Sequence, residues 1–144
     1  MKLSTRARYG LRAMLELANH KGKGPLQIKN IGRHQDISVK YLEQILALLK
    51  SGGFVRSTRG AKGGYVLAKP AEQIKLTDVF NCLEGPFIAS ECLEDEDSCN
   101  RAPDCVTRQV WAKVQQAVTN VLDSITLQDL VDENQVKEKM DYQI

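Results

Sequence analysis

The sequence predicts a mainly α-helical fold that carries one small β-hairpin, an α+β arrangement, and three observations predict it. Apolar residues recur at helical spacing through most of residues 4–50 and again over 106–125. Between those stretches two short β-type segments flank a glycine-rich turn. The chain has 144 residues, 42% hydrophobic and 26% charged, which is ordinary globular composition with apolar residues for one core.

Taken in order, Ser4 is placed to cap a first helix in which Ala7, Leu11, Met14, Leu15 and Ala18 share a face, ending near His20. Lys21-Gly-Lys-Gly-Pro25 is a turn, because its glycines tolerate positive φ and proline cannot continue the helix before it. A second helix from about Gln27 to His34 buries Ile28 and Ile31 and stops at a polar turn carrying Asp36. Ser38 caps the third helix, whose buried stripe of Leu42, Ile45, Leu46 and Leu49 leaves Ser38, Lys40, Tyr41, Glu43 and Gln44 largely outside. Gly52-Gly53 ends it. Phe54–Ser57 and Tyr65–Ala68 then form the hairpin, with the basic, glycine-rich tip Thr58–Gly64 between them. Three helices followed by such a hairpin make a winged helix-turn-helix, in which the third helix enters the DNA major groove and the wing reaches the backbone or minor groove.

A short helix is predicted over Leu76–Leu83, then an irregular cysteine-bearing loop to Asp104. From Pro103 a long helix follows, along which Val106, Val110, Val114, Ala117, Val118, Val121 and Ile125 trace one continuous apolar stripe. A chain of this size has little core left to cover that stripe, so pairing with its own copy is the expected use, and two-fold symmetry suits a palindromic operator. Leu127–Val131 is expected to add a further turn. The predicted divisions are a DNA-binding region over 1–75, a cysteine loop and dimerisation helix over 76–132, and a flexible polar tail over 133–144.

The net charge of +2 hides a division along the chain. Residues 1–75 carry 15 Lys and Arg against 4 Asp and Glu, whereas residues 76–144 carry 5 against 14. A basic half joined to an acidic one presents a single face to polyanions, the electrostatic footprint of nucleic-acid binding; the alternative is solvated surface charge. Met1 opens on a mixed basic and apolar segment without the apolar run of an export signal, and no stretch is apolar enough to span a bilayer. The expected location is therefore the cytoplasm, without membrane contact, with the four cysteines as reduced thiols or metal ligands. No catalytic constellation is present, and a thiol enzyme would need a cysteine in a basic pocket, whereas these lie among acids.

The segments Arg8-Tyr-Gly-Leu-Arg-Ala-Met14, Ile37-Ser38, Tyr41-Leu-Glu-Gln44, Arg59-Gly60 and Gly63-Gly64-Tyr65, followed by Cys92, Cys99 and Cys105, carry a family resemblance. From about Met1 to Val131 the chain resembles the BadM/IscR-type winged helix-turn-helix regulators, the iron–sulfur cluster regulator family. The resemblance implies that Ser38, Lys40, Tyr41, Glu43 and Gln44 form a base-reading face on a pseudo-palindromic double-stranded operator bound by a homodimer. The residue chemistry agrees: Gln44 suits adenine, Glu43 suits a cytosine amino group, and Lys40 or Ser38 suits phosphate or a base edge. The competing reading of Glu43 is a pairing within its own helix, toward Lys50. Arg59 belongs in the minor groove, where Gly60 and Gly63 allow close backbone approach and Lys62 and Arg56 extend the same basic patch; otherwise it is a solvated turn arginine.

Spacing alone leaves Cys92-x6-Cys99-x5-Cys105 open between a metal site and unligated thiols, since it lacks paired C-x2-C elements. The resemblance implies an iron–sulfur cluster on these three cysteines, 2Fe–2S in preference to 4Fe–4S, with the fourth ligand open. The family's histidine, three positions after the last cysteine, is Arg108 here, and the N-terminal aspartate used by another branch is Arg8. Glu91, Asp97, Asp104, Thr107, His34 or a small exogenous ligand remain. Cys82 reads as a core thiol and Trp111 as packing. The alternative function is a cluster-free regulator of the same fold, controlled by a protein or metabolite partner, with structural or zinc-bound thiols.

Overall fold

The computed structural model describes residues 3–142. The fold is mainly helical with one two-stranded antiparallel hairpin, as the sequence predicts. Helices α1 (Thr5–Asn19), α2 (Ile28–Gln35) and α3 (Val39–Ser51) precede strands β1 (Val55–Thr58) and β2 (Gly64–Leu67); α4 (Leu76–Glu84), α5 (Glu91–Glu94), α6 (Val106–Ser124) and α7 (Leu127–Tyr142) follow.

Local chemistry fixes the ends of these elements. The Ser4 hydroxyl accepts from the Ala7 amide at 3.0 Å and the Ser38 hydroxyl from the Tyr41 amide at 3.2 Å, so each satisfies a free donor in the first turn of its helix. Asp36 closes α2 with φ +55°, a conformation that aspartate tolerates better than most side chains, and it sets the sharp turn into α3. In the hairpin, Arg56 pairs with Val66 and Ser57 with Tyr65. At its tip, Gly60 has φ +110°, and a Cβ on buried Gly63 would collide with the Thr58 carbonyl. Those backbone positions exclude larger residues and explain the glycine content of the tip.

One core collects Met14 and Leu17 of α1, Ile31 of α2, the Leu42, Ile45, Leu46 and Leu49 stripe of α3, Phe54 and Val55 at the hairpin base, and Val79 and Leu83 of α4. It runs past residue 75 and includes Leu127 and Val131 of α7. Gly10 lies where α1 crosses α4, and a Cβ there would overlap the Leu83 side chain. Gly10→Val is therefore expected to force the two helices apart and cost about 1–3 kcal/mol, read as a lower midpoint in thermal unfolding. An unchanged midpoint would show that the crossing is not tight.

The C-terminal segment differs from expectation. A single turn at 127–131 and a flexible tail from 133 were expected; instead α7 continues to Tyr142, with residues 143 and 144 of that tail outside the described residues. Among the described residues of α7 only Leu127, Leu130 and Val131 join the core or pack against it, which leaves little apolar period to read. The helix starts at a reciprocal cap in which the Thr126 amide donates to Asp129 Oδ2 at 2.9 Å and the Asp129 amide donates to Thr126 Oγ1 at 3.2 Å. A contact from Gln128 to Asp132 at 2.8 Å, four residues on, supports the next turn. The cysteine loop is also less irregular than expected, containing α5 and two single 3-10 turns at Glu96–Ser98 and Ala102–Asp104, and α6 begins at Val106 rather than at Pro103.

Candidate nucleic-acid interface and cysteine loop

The helix-turn-helix positions its third helix through a network that links α1 to the end of α2. Arg12 donates to the side-chain oxygen of Gln35 at 2.8 Å and to its backbone oxygen at 2.6 Å, and Gln35 in turn donates to Glu16 at 2.6 Å. The Arg12 guanidinium also lies 5.3 Å from the Tyr9 ring centroid, and that ring meets Tyr41 of α3 edge-on at 6.0 Å. Burial of Leu42, Ile45, Leu46 and Leu49 turns the opposite side of α3 outward, leaving Lys40, Glu43 and Gln44 exposed and Tyr41 half-buried.

Two of the sequence assignments gain definition. The Ser38 hydroxyl is engaged as the α3 cap, so what it offers beyond the helix is its exposed position at the first turn. The alternative for Glu43, an ion pair with Lys50, is not formed: Lys50 donates to Ser57 at 2.8 Å and ties the end of α3 to the wing. Among the described residues the ion pairs are Arg6–Glu84, His34–Glu16 and Arg108–Glu96, and none of them includes Glu43, Lys40, Arg59 or Lys62. Arg59, Gly60 and Lys62 are exposed at the wing tip, which Gln27 steadies by donating to the Ala61 carbonyl at 3.3 Å. The sequence reading passed over Val39, which is 39% exposed in the first turn of α3; the available signal was an apolar residue off the buried stripe.

Glu84, at the end of α4, accepts from the Ser4 hydroxyl and pairs with Arg6 at 3.2 Å. The Ser4 hydrogen bond first, and Arg6 second, hold its carboxyl below the ordinary value. Its contribution to stability is thus present above that ordinary value and lost as pH falls through the lowered one.

Across the chain the cysteine loop is separate in character. Cys92 and Cys105 are half-buried and Cys99 is exposed. The Cys92 thiol lies 3.3 Å from the Ser90 hydroxyl, and the Cys105 thiol 3.1 Å from the Thr107 hydroxyl. The Thr107 hydrogen bond, followed by the Arg108 backbone N–H, favours the Cys105 thiolate and lowers its pKa. Arg108 donates twice to the Cys92 carbonyl, at 3.3 and 3.1 Å, and reaches Glu96 at 3.3 Å, so it clips the loop to the start of α6.

An iron–sulfur cluster on this loop would be held by three thiolates, and the donor chemistry fits. Their arrangement is open: among the described residues no three His, Cys, Asp or Glu side chains gather as they would around a metal ion. Of the fourth-ligand candidates, His34 is engaged with Glu16 at 3.3 Å and Thr107 with Cys105. Cys82 stands apart, half-buried beside the core with its thiol donating to the Leu48 carbonyl at 3.3 Å, and burial raises its pKa, in keeping with a packing role.

On α6 no residue is buried. Val106, Val110 and Val121 are 74%, 48% and 57% exposed, and Trp111, expected to pack, is 45% exposed within the single chain. Beside α6 lies an apolar groove lined by Leu3, Phe80, Phe87, Ile88, Val118 and Leu122. Among the described residues no helix is long and apolar enough to cross a membrane.

The sequence profile of the Rrf2 family, described as iron-dependent transcriptional regulators, matches residues 3–133. The chain is 44% identical to the protein rrf2 of Nitratidesulfovibrio vulgaris over 131 residues, covering 91% of this chain and 87% of that one. It is 35% identical to the HTH-type transcriptional regulator IscR of Pectobacterium atrosepticum over 143 residues, 99% of this chain and 87% of that one. The solved structure of CymR, the global cysteine regulator of Bacillus subtilis, superposes with a TM-score of 0.79 at 42% identity, covering 92% of this chain and 98% of that one.

Proposed function

Because the chain belongs to the Rrf2 family of transcriptional regulators, and is a DNA-binding regulator rather than an enzyme, we propose that it reads a pseudo-palindromic operator as a homodimer under the control of its cysteine loop. The observation that carries the reading is the outward face of α3 and the wing tip. There Lys40, Glu43, Gln44, Arg59 and Lys62 are exposed, and the four charged ones join no ion pair among the described residues; behind α3 stand the core and the Arg12–Gln35 network. Unpaired charges of this kind are satisfied by phosphates and base edges.

Lys40 and Lys62 supply phosphate contacts, Gln44 and Glu43 read bases, and Arg59 with Gly60 enters the minor groove. Val39 adds an apolar contact suited to a thymine methyl group. Selection of duplexes from a random pool by the full-length protein tests this. Gln44→Ala is expected to relax preference at one base pair in each half-site, by about 1–3 kcal/mol, with the salt dependence unchanged. A variant that loses affinity equally for all sequences would remove Gln44 from the reading face.

The homodimer rests on α6, a helix with an apolar stripe and no buried residue, lying beside an apolar groove. Its two-fold symmetry would place two copies of α3 on successive turns of one DNA face.

Cys92, Cys99 and Cys105 would hold an iron–sulfur cluster, which when bound supplies a group whose presence follows iron, sulfide and oxidant supply. What the chain itself contributes is position. Arg108 links the Cys92 carbonyl and Glu96 to the first turn of α6, so any rearrangement that gathers the thiols acts on the root of the dimer helix. Anaerobic purification is expected to give coloured protein with matched iron and acid-labile sulfide, lost when Cys92, Cys99 or Cys105 is replaced. The open placement of the three thiols favours a second reading, control by a protein or metabolite partner with structural or zinc-bound thiols; colourless protein, with zinc or without metal, would establish it over the first.

A further inference from the structure

Behind the wing the structure has a second concave site. A cleft of about 400 Å³ opens between the C-terminal end of α1 and the hairpin. Leu17 and Ala71, each 3% exposed, contribute to its apolar lining. Its basic lining side chains are His20, Lys21, Arg56 and Lys69, Tyr65 adds a phenol, and no carboxylate lines it. None of those four joins the ion pairs found among the described residues. The Lys69 ammonium is kept beside the hairpin base, 5.0 Å over the Phe54 ring.

We propose that this cleft binds a small organic carboxylate with a short apolar body. Cations from three separate segments converge there without a counter-charge, so an anion relieves their mutual repulsion, and the protein walls strengthen the attraction relative to open water. The apolar lining selects for a hydrocarbon body over a bare inorganic anion, and the volume suits a small molecule. DNA is the other polyanion to consider, but no residue of α3 and none of residues 58–63 at the wing tip lines the cleft. Both strands and α1 do line it. Tyr65 of β2 is also bonded to Leu26 in both directions at 2.9 Å, so an occupant would tie the hairpin to the α1–α2 segment and set the stance of the wing. That consequence for DNA binding rests on the function proposed above; the binding itself does not.

The test is an NMR titration of the isotope-labelled full-length protein with isovalerate, its uncharged amide isovaleramide, and inorganic phosphate. Isovalerate is expected to shift the amides of His20, Lys21 and residues 65–69 saturably, with the other two compounds inactive at equal concentration. Arg56→Gln with Lys69→Gln is expected to weaken isovalerate binding about a hundredfold, roughly tenfold for each lost charge-assisted contact, while the thermal midpoint of the free protein holds. Absent shifts, equal shifts with phosphate, or shifts spread to Lys40 and Lys62 would overturn the proposal. So would displacement of isovalerate from these residues by a random-sequence duplex, which would make the cleft part of the DNA grip. Saturable binding that leaves affinity for a selected duplex unchanged would uphold the site and overturn its coupling to the wing.

Discussion

Glutamate at both Val110 and Val121 is expected to abolish dimerisation and, with it, operator binding. Both residues are about half exposed in the single chain, at 48% and 57%, and neither belongs to its core. In a dimer sealed along α6 each would be buried, where a valine contributes about 1.5–3 kcal/mol. A carboxylate taken there without a partner costs several kcal/mol more. The combined effect is a fall in the dimerisation constant of more than about a thousandfold. Sedimentation equilibrium reads the association state, and circular dichroism confirms that the helices persist. Operator affinity follows, because one protomer contacts only one half-site. A double variant that remains dimeric would move the interface away from this stripe.

The second large effect is expected at the wing. Arg59→Ala should weaken operator binding by about 1.4–3 kcal/mol, tenfold to a hundredfold or more, without altering thermal stability. Arg59 is exposed, joins no ion pair among the described residues, and sits beside Gly60, whose φ of +110° keeps the backbone free of a side chain at the tip. A guanidinium entering the narrow minor groove gains from concentrated negative potential and loses little hydration. Arg59→Lys should recover part of the loss, because the charge remains while the planar donor fork is gone. Fluorescence anisotropy on a selected duplex measures both. An Arg59→Ala variant that binds as tightly as the unaltered protein would place the wing outside the groove.

Much of this architecture is legible before any coordinates because its signals are local. The Leu42, Ile45, Leu46 and Leu49 stripe is a helical period, Ser4 and Ser38 are capping residues, and the glycines of 60–64 mark a turn that tolerates no Cβ. The C-terminal helix was missed for a physical reason. Among its described residues only Leu127, Leu130 and Val131 join the apolar core or pack against it, while Val136 and Met140 are 58% and 63% exposed, so apolar periodicity fades after one turn. Thr126-Leu-Gln-Asp129 nevertheless carries a capping-box spacing that marks the helix start.

The site divides in the same way. Sequence by itself determined the winged-helix order, the basic reading half and the identity of the three loop cysteines, because periodicity, charge and residue type are properties of the chain as written. Only the tertiary structure decided that Glu43 does not pair with Lys50, which is committed to Ser57, that Arg108 grips the Cys92 carbonyl, and that Val114 and Val118 of α6 are half-buried while Val106, Val110 and Val121 stay exposed. Those outcomes depend on which side chains residues far apart in sequence bring within hydrogen-bonding or packing distance, and so on how the helices cross around one core.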